Sequence, residues 1–533
     1  MIQLDIDSQG IATLAINQPA RAMNVIDWEF VRTLGERIDQ IAQNPNTIGV
    51  IVTSGKGTFV AGADLAIMGE FVAPGVTPKD AADMIGRVGN TLRRLETIGK
   101  PVVGASTGTS LGGGLEILLA CHYRVAADKP EAVYGLPEVS LGLLPGAGGT
   151  QRLPRLIGIA KALPLMLSGS HFNTQEALEM GIFNQVVPSD QLLATAKKVL
   201  LDGLVPSVAP WDQKGFRMPG GDSSTASANA LFLMLNAGIF SRTHGKQPAP
   251  KAIASCVYEG ARLPINRALR IEQMYFGQLV QAQESQAMIQ TLFFSRQALE
   301  KAPGRPQGIP KAKLKRIAVQ KHLLGGDALK KAAEAAGIEV DSEPTDASEL
   351  VIGQAKGALM AHWYQVKDGD LPAVLELAAS ATTSEKQLAL GFDLARQLRA
   401  VPVLLNQSAS GDWQMGYVQA CIEALLATAT TLIEAGTPAV VVNNAAIAAG
   451  WPALFELARS IGQDWSSRDQ KLGHARPSLQ SIADELANSQ HQLANKAVRV
   501  KALLTSDAAN LAAVLGAGFP RHLGGPLFLT EAV

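Results

Sequence analysis

The chain has 533 residues, of which 47% are hydrophobic and 18% are charged, and a chain of this length exceeds what one ordinary core fills. Lysine plus arginine and aspartate plus glutamate both total 47, so no overall field favours nucleic acid or an anionic membrane. The three cysteines, Cys121, Cys256 and Cys421, are far apart and show no metal-ligand spacing. We therefore expect a reduced, cytoplasmic protein without a bound metal. Residues 1–16 alternate apolar and polar side chains and no apolar run approaches about 18 residues, so we expect neither a signal peptide nor a membrane-spanning segment.

Strand and helix signals alternate from Met1 to about Pro188. Short apolar runs indicate strands and the longer stretches between them indicate helices. The predicted strands are Ile11–Ile16, Gly49–Thr53 and Pro101–Ala105, and the predicted helices between them are Trp28–Gln43 and Asp80–Ile98. This alternation is typical of an α/β domain with parallel strand pairing.

Helix signals dominate the rest of the chain, with clear interruptions. A predicted helix over Leu192–Leu201 precedes a glycine- and serine-rich stretch, Met218–Ser227, which we interpret as an exposed loop. Ala252–Leu299 is compatible with helix, and Lys301–Lys311 carries three prolines and two glycines, which predicts a linker. The later predicted elements are a strand over Leu314–Val319, a helix over Asp327–Ala336, a strand over Ile338–Val340 and mostly helices from about Val401.

A run of three glycines, Gly112–Gly114, opens the apolar helix predicted over Leu115–Ala120. Backbone N–H groups at a helix start have no intrahelical partner, and glycines let a ligand oxygen approach them. The run could be half of an oxyanion site, or the glycines could simply allow a helix to pack closely on a sheet. Residues 60–63 form a second turn of small residues that could supply another N–H donor.

Two glutamates stand in apolar surroundings near these turns. Glu116 lies between Leu115 and Ile117, and Glu138 follows Pro137. A carboxylate among such neighbours is costly unless it is paired, hydrogen-bonded or functional. Two carboxylates beside one oxyanion site would suit proton transfer next to a carbonyl. The alternative for each glutamate is a helix cap or a buried ion pair.

Three segments in this order, FVAGAD (59–64), SLGGGLE (110–116) and YGLPEVSLGLLPGAGGTQRL (134–153), resemble the enoyl-CoA hydratase/isomerase (crotonase) superfamily. More narrowly, residues 1–310 are similar to the N-terminal hydratase half of the multifunctional fatty-acid β-oxidation proteins of the α-subunit type. The segments QPAPKAIASCVYEG and ESQAMIQTLFFSRQALEK, which resemble the connecting region of those proteins, carry this narrower likeness.

The resemblance implies roles for the two turns and the two glutamates. The backbone N–H groups of Ala63 and Gly113 would hold the thioester oxygen as enolate charge develops. Glu116 and Glu138 would flank the double bond, one activating water and the other delivering a proton to the α carbon. The presence of both glutamates favours a hydratase with isomerase as a side activity.

The same resemblance implies a binding site for coenzyme A. Ala22, Asn24 and Ala61 would line the adenine end, and Gly112 would contact the substrate. The reaction would need no cofactor beyond the coenzyme A that the substrate carries, and no metal.

The fragments LKRIAV (314–319), VPVLLN (401–406) and VLGAGFPRHLGGPLFL (514–529) resemble parts of a 3-hydroxyacyl-CoA dehydrogenase, so the second half resembles a shortened and degenerate form of that family. Where a G-x-G-x-x-G fingerprint would bind a dinucleotide, Lys321 and Leu323 replace the first two glycines and only Gly326 is kept. A leucine at the second position should prevent the backbone from meeting a pyrophosphate, so we expect no NAD. His362 and Glu376 faintly resemble a catalytic pair of that family, but their spacing is different and we expect a structural histidine.

The resemblance therefore implies an α/β fold with a crotonase-type spiral ββα core, a truncated Rossmann-like segment and a mainly α-helical C-terminal region. The expected domains are residues 1–190, a helical extension and linker helix over 191–310, the Rossmann remnant over 311–400 and the helical region over 401–533. We expect a 2-enoyl-CoA hydratase of fatty-acid β-oxidation that binds an acyl-CoA thioester, with a thiolase subunit and oligomer formation left open. The alternatives are a bifunctional hydratase and NAD-dependent dehydrogenase, and a non-catalytic scaffold for a thiolase.

Overall fold

The computed structural model describes residues 1–320, 323, 325–353, 358–366, 371–409, 413, 416–460 and 477–528. The chain divides into two units, Met1–Gln286 and Ala287–Val533. Their boundary lies inside the segment 191–310, which the sequence predicts to be one helical extension. The finer division into four domains stays a prediction.

The first unit is built on a six-stranded sheet in the order β1-β2-β3-β4-β6-β8. Only the β1–β2 pair is antiparallel, and the other pairs are parallel, as the alternation of strands and helices predicts. A short parallel pair, β5–β7, lies apart from this sheet. The strands are Ile2–Ile6 (β1), Ile11–Ile16 (β2), Gly49–Ser54 (β3), Val102–Ser106 (β4), Ser110–Leu111 (β5), Tyr123–Ala127 (β6), Tyr134–Gly135 (β7) and Gln185–Val187 (β8).

Helices cover the sheet and extend the first unit. Strands β3 and β4 are buried along their whole length, which is the pattern of a parallel sheet covered on both faces. Helix α1 spans the predicted residues because Asp27 caps its first turn, accepting from the N–H of Phe30. The helices are Trp28–Gln43 (α1), Leu65–Phe71 (α2), Pro78–Glu96 (α3), Gly113–Leu119 (α4), Gly149–Ile157 (α5), Ile159–Ser168 (α6), Thr174–Met180 (α7), Leu192–Leu201 (α8), Ala226–Thr243 (α9), Pro248–Gly260 (α10), Ile265–Val280 (α11) and Gln283–Ile289 (α12).

Residues 218–299 form a loop followed by helices. The stretch Ala252–Leu299 is mostly helical, as predicted, and the chain turns between α10 and α11 at Pro264 before α11 packs along α3. The predicted loop Met218–Ser227 is confirmed up to residue 225, and α9 begins at Ala226. The buried Ser223 hydroxyl anchors this loop, because it donates to the carbonyl oxygen of Tyr258 at 2.6 Å.

The second unit contains two three-stranded sheets with the orders β10-β9-β11 and β12-β13-β14. The first sheet is parallel and helix α14 follows β9, as expected for a short Rossmann-like segment. The strands are Arg316–Val319 (β9), Glu339–Asp341 (β10), Leu350–Ile352 (β11), Met360–Tyr364 (β12), Val374–Ala379 (β13) and Val401–Asn406 (β14). The helices are Arg296–Glu300 (α13), Gly326–Ala335 (α14), Glu385–Gln397 (α15), Tyr417–Glu434 (α16), Ala439–Ala449 (α17), Leu454–Ser460 (α18), Leu479–Arg499 (α19) and Ser506–Gly516 (α20).

The predicted linker Lys301–Lys311 lies within this second unit and not at the boundary between the units. Arg305 anchors it, because its guanidinium donates to the Asp393 carboxylate at 2.9 and 3.2 Å and to the carbonyl oxygen of Ile309 at 2.8 Å. Of the helices that the structure describes, none is long and apolar enough to cross a membrane.

Candidate active site

The glycine run Gly112–Gly114 connects strand β5 to helix α4. Gly112 has φ +54° and ψ −127°, a conformation that L side chains rarely adopt. A side chain on Gly114 would overlap the carbonyl oxygen of Val60. The glycines therefore do allow helix α4 to pack closely, which is the packing role that the sequence left open. The same packing leaves the N–H of Gly113 at the first helical position, where no backbone acceptor is available.

The second turn of small residues lies next to the first. Ile26 donates its N–H to the carbonyl oxygen of Gly62 at 2.8 Å and accepts from the N–H of Asp64 at 2.9 Å. Ala63 lies between Gly62 and Asp64, so these two hydrogen bonds turn the N–H of Ala63 away from Ile26. Among the described residues, neither the Ala63 N–H nor the Gly113 N–H has a hydrogen-bond partner. Ala63 is exposed and Gly113 is half-buried, so a ligand can reach both donors.

Asn24 organises the predicted coenzyme A turn. Its fully buried side chain donates to the carbonyl oxygens of Ile16 at 3.0 Å and Phe59 at 3.1 Å. Its backbone carbonyl oxygen accepts from the N–H of Ala61 at 2.9 Å, so two of the residues predicted to line the adenine end, Asn24 and Ala61, do meet. Ala22 is exposed and Ala61 is half-buried. The Asn24 side chain is fully used by the protein, so it shapes this turn while Ala22 and Ala61 remain accessible.

Glu116 lies on α4 and is 2% exposed. Its Oε1 accepts from the N–H groups of Ala147 at 2.8 Å and Gly149 at 2.7 Å. No described residue bonds its Oε2, which lies 3.8 Å from where a Cβ on Gly113 would stand. Burial raises the pKa of Glu116, and the two backbone N–H groups oppose that rise.

Glu138 lies on the 3-10 helix Pro137–Leu141, at the other end of the glycine run. Its Oε1 is 2.8 Å from where a Cβ on Gly112 would stand. Its Oε2 is buried without a hydrogen-bond partner among the described residues. Burial, and next the negative charge of Glu116, raise the pKa of Glu138 well above its ordinary value. The structure thus brings both predicted glutamates to one turn, and their catalytic roles stay a prediction.

A third glutamate, Glu272 on α11, was missed by the sequence analysis. It is 0% exposed, and its Oε1 accepts from the N–H of Gly148 at 2.6 Å. Its Oε2 accepts from the N–H and the hydroxyl of Thr150 at 3.0 and 2.5 Å. Burial, and next the charge of Glu116, raise the pKa of Glu272 to about 8. A signal was present, because Glu272 falls at helical spacing between the apolar Leu269 and Phe276.

A fully buried ion pair supports the same turn from the other side. The Arg152 guanidinium donates to both carboxylate oxygens of Glu96, at 2.9 and 3.1 Å. Its Nη1 also donates to the carbonyl oxygen of Ala147 at 2.9 Å. Arg93 gives Glu96 a second partner at 2.6 Å.

We expect Arg152→Met to destabilise the first unit by about 3 kcal/mol, the low end for breaking a buried pair, because Arg93 still neutralises part of the Glu96 charge. The matched control is Arg32→Met, since Arg32 pairs with Glu36 on an exposed face and should contribute about 0.5 kcal/mol or less. Urea unfolding of both variants measures the difference. Equal midpoints for the two variants would contradict a role for the buried pair.

The dehydrogenase-like segment gives a mixed outcome. Lys321 and His322 lie outside the described residues. Leu323 is half-buried and its side chain packs on the apolar cluster of the second unit, and Gly326 begins α14 and donates its N–H to the carbonyl oxygen of Leu323 at 2.9 Å. That this turn does not bind a dinucleotide stays a prediction from the leucine at the second fingerprint position.

His362 and Glu376 stand directly opposite each other on the antiparallel strands β12 and β13, despite their unexpected spacing in the sequence. Glu376 accepts from the N–H of Tyr417 at 2.8 Å. Both His362 ring nitrogens lack a partner among the described residues, and burial lowers the pKa of this imidazole to about 4. Among the described residues, no group of three or more His, Cys, Asp or Glu side chains could hold a metal ion.

Comparison with known proteins gives one family match and several relatives. The family model described as enoyl-CoA hydratase/isomerase matches residues 7–204. The fatty acid oxidation complex subunit alpha of Shewanella loihica is 38% identical over 318 residues, which is 60% of this chain and 44% of that protein. The subunit alpha of Shewanella putrefaciens is 34% identical over 386 residues, which is 70% of this chain and 53% of that protein. This chain therefore spans about half the length of the curated relatives it matches.

A solved structure, the enoyl-CoA hydratase from Bacillus anthracis, is 26% identical with a TM-score of 0.35, and the alignment covers 55% of this chain and 95% of that one.

The residues of the family match contain strands β2 to β8, both turns and both predicted glutamates, while Glu272 lies outside them. The resemblance read from FVAGAD, SLGGGLE and the Tyr134–Leu153 segment is confirmed. Residues 7–204 of this chain therefore form a domain of the enoyl-CoA hydratase/isomerase (crotonase) superfamily.

Proposed function

We propose that this chain adds water to the double bond of 2-enoyl-CoA thioesters in fatty-acid β-oxidation, giving 3-hydroxyacyl-CoA, with isomerase as a side activity. One observation carries the proposal. Two backbone N–H groups without partners among the described residues, those of Ala63 and Gly113, lie beside the carboxyl groups of Glu116 and Glu138. Relatives named as fatty acid oxidation complex α subunits support the choice of pathway.

The two N–H groups would bind the thioester carbonyl oxygen. When water adds at the β carbon, negative charge moves through the α carbon onto that oxygen. Donors that are already aligned stabilise this charge without reorganising. Ala63 and Gly113 meet this requirement because the two hydrogen bonds of Ile26 and the helix start fix their backbones.

The surroundings of the two glutamates favour different roles. The two N–H groups that bind Glu116 Oε1 favour its ionised form, and its free Oε2 can accept a proton from water. No described residue donates to the buried Oε2 of Glu138, so this carboxyl group holds its proton to higher pH. In the forward reaction the water oxygen bonds to the β carbon, a water proton passes to Glu116, and the Glu138 proton passes to the α carbon. Proton exchange with solvent then restores both groups.

The substrate brings coenzyme A, and the residues Ala22, Ala61 and Gly112 would line its path. No metal takes part in these steps. We place no step on NAD, because Leu323 occupies the position where a dinucleotide needs bare backbone.

The direct test is hydration of crotonyl-CoA and longer 2-enoyl-CoA thioesters, followed by the loss of enoyl-thioester absorbance. We expect activity that disappears in the double variant Glu116→Ala, Glu138→Ala. Activity that survives in the folded double variant would refute the site. A folded wild-type chain that hydrates none of the thioesters would refute the function and favour a scaffold.

The position of His362 directly opposite Glu376 on the neighbouring strand favours one second candidate, a bifunctional hydratase and dehydrogenase. This candidate predicts NADH from 3-hydroxyacyl-CoA and NAD⁺ at high protein concentration. We expect no NADH. Formation of NADH that is lost in His362→Ala would overturn the assignment of the second unit.

A further inference from the structure

The turn formed by residues 147–150 distributes its N–H groups between two glutamates. The first and third N–H groups donate to Glu116, and the second and fourth donate to Glu272. We propose that Glu272 is a positioning residue of the hydratase site, which holds this turn from α11 and thereby fixes the direction in which Glu116 presents its free Oε2. The inference rests on the proposed hydratase function.

The turn needs such a support because its own sequence is flexible. Gly148 has φ +116°, and consecutive glycines pay a large entropic cost for adopting one conformation. A Cβ on Gly149 would lie 2.7 Å from Pro145 and 3.0 Å from Glu116 Oε1, so the glycines are there to bring the backbone close to the carboxylate. What its N–H groups bind therefore decides the position of the turn. Glu116 binds one side of it, and Glu272 binds the other.

The desolvation of the Glu272 carboxyl group costs more free energy than a purely structural anchor of this turn would require. Its carboxyl group is fully buried, and it forms no salt bridge with the described residues, so only three hydrogen bonds offset its desolvation. A neutral side chain could accept from part of this turn without the charge. The negative charge also acts on the site, because it raises the pKa of Glu138.

The groups around Glu272 determine the sign of its effect. Arg152 on α5 lowers the pKa of Glu272, but both carboxylate oxygens of Glu96 accept hydrogen bonds from the same guanidinium. The titratable and charged groups that face Glu272 are Glu116 on α4, Glu138 on the 3-10 helix, Arg152 and Arg155 on α5, and Cys256 on α10. Glu272 ionises with a pKa of about 8, so its charge acts on Glu138 in the alkaline range.

We expect Glu272→Gln to lower kcat for crotonyl-CoA about tenfold, the effect of one lost buried hydrogen bond on the alignment of Glu116, with KM nearly unchanged. Removal of the charge lowers the pKa of Glu138, so the alkaline limb of kcat/KM should move to lower pH. Thr150→Val removes only the hydroxyl donor and keeps the Glu272 carboxyl group, whose pKa it raises because that donor favours the ionised form. It should give a smaller fall in kcat and a smaller move of the alkaline limb in the same direction.

The matched control is Glu259→Gln, an exposed glutamate on the neighbouring helix α10, which should keep the wild-type kcat and pH profile. The proposal is overturned if folded Glu272→Gln keeps both wild-type kcat and the wild-type alkaline limb. It is also overturned if activity falls only in proportion to the unfolded fraction seen by circular dichroism, with the pH limb unmoved.

An infrared titration separates this inference from the proposed function. In protein labelled with ¹³C-glutamate, the carboxyl band that is absent from Glu138→Gln belongs to Glu138. That band should disappear at lower pH in Glu272→Gln than in the wild type, whether or not the chain hydrates enoyl-CoA. An unchanged titration would overturn the inference even if wild-type hydration is fast.

Discussion

Glu138→Gln is expected to lower kcat for hydration by about 10³–10⁴-fold, the upper range for the loss of a positioned general acid or base. Glutamine keeps the shape of the side chain but cannot give a proton to the α carbon. KM should change little, because the thioester oxygen and coenzyme A bind elsewhere. Steady-state kinetics with crotonyl-CoA measure both constants, and Glu131→Gln, which replaces an exposed glutamate, is the matched control.

The wild-type pH profile should follow the two glutamates. Glu138 must be protonated, and its pKa is raised well above the ordinary value, so activity should fall only as pH rises through that raised pKa. Glu116 must be ionised, and activity should fall as pH decreases through its own pKa, which burial raises less far. A folded Glu138→Gln that keeps more than a tenth of wild-type kcat would contradict the assignment.

Stability provides an independent check of the same residue. A raised pKa in the folded state means that the unfolded chain loses its proton first, so the wild type loses stability as pH rises above the unfolded value. Glutamine has no such proton to lose. Glu138→Gln should therefore be at least as stable as the wild type at neutral pH while being almost inactive, which is the signature of a group kept for chemistry and not for folding.

Local signals account for most of what the sequence could predict. The predicted bounds of helix α1 agree with the observed ones, and in the structure Asp27 caps the helix before its apolar stripe. The parallel sheet followed from buried apolar strands that alternate with helices. Glu116 and Glu138 could be paired in advance because each stands beside a glycine-rich or proline-marked turn.

The features that the sequence did not predict all depend on contacts between segments that are distant along the chain. Glu272 reaches the site only because α11 packs along α3, and no local pattern shows which turn it meets. The role of Asn24 at the coenzyme A turn stays a prediction, and its side chain bonds three separate segments, at residues 16–18, Ser54 and Phe59. The opposite positions of His362 and Glu376 arise from strand register, which spacing along the chain does not reveal.

Gly113→Pro is expected to lower kcat/KM about 10²–10³-fold relative to Gly113→Ala, the usual effect of losing one oxyanion donor. Proline lacks the N–H, yet it suits this residue, which is the first position of α4 after the N-cap Gly112. The extended ψ of Gly112, −127°, also keeps its nitrogen away from the proline ring. The folding of both variants can be compared by thermal melting.

The alanine variant is the necessary control because both substitutions add a Cβ that meets Ile26 Cδ1 at 2.6 Å, the far end of a side chain that can rotate. Alanine keeps the N–H, so the ratio of the two variants isolates the donor from the steric change. If both variants fold and have the same kcat/KM, the Gly113 N–H does not stabilise the enolate. The two variants differ only in the backbone N–H of residue 113 and in the proline ring. A large ratio of their kcat/KM values with equal melting temperatures would therefore show that this N–H stabilises the transition state.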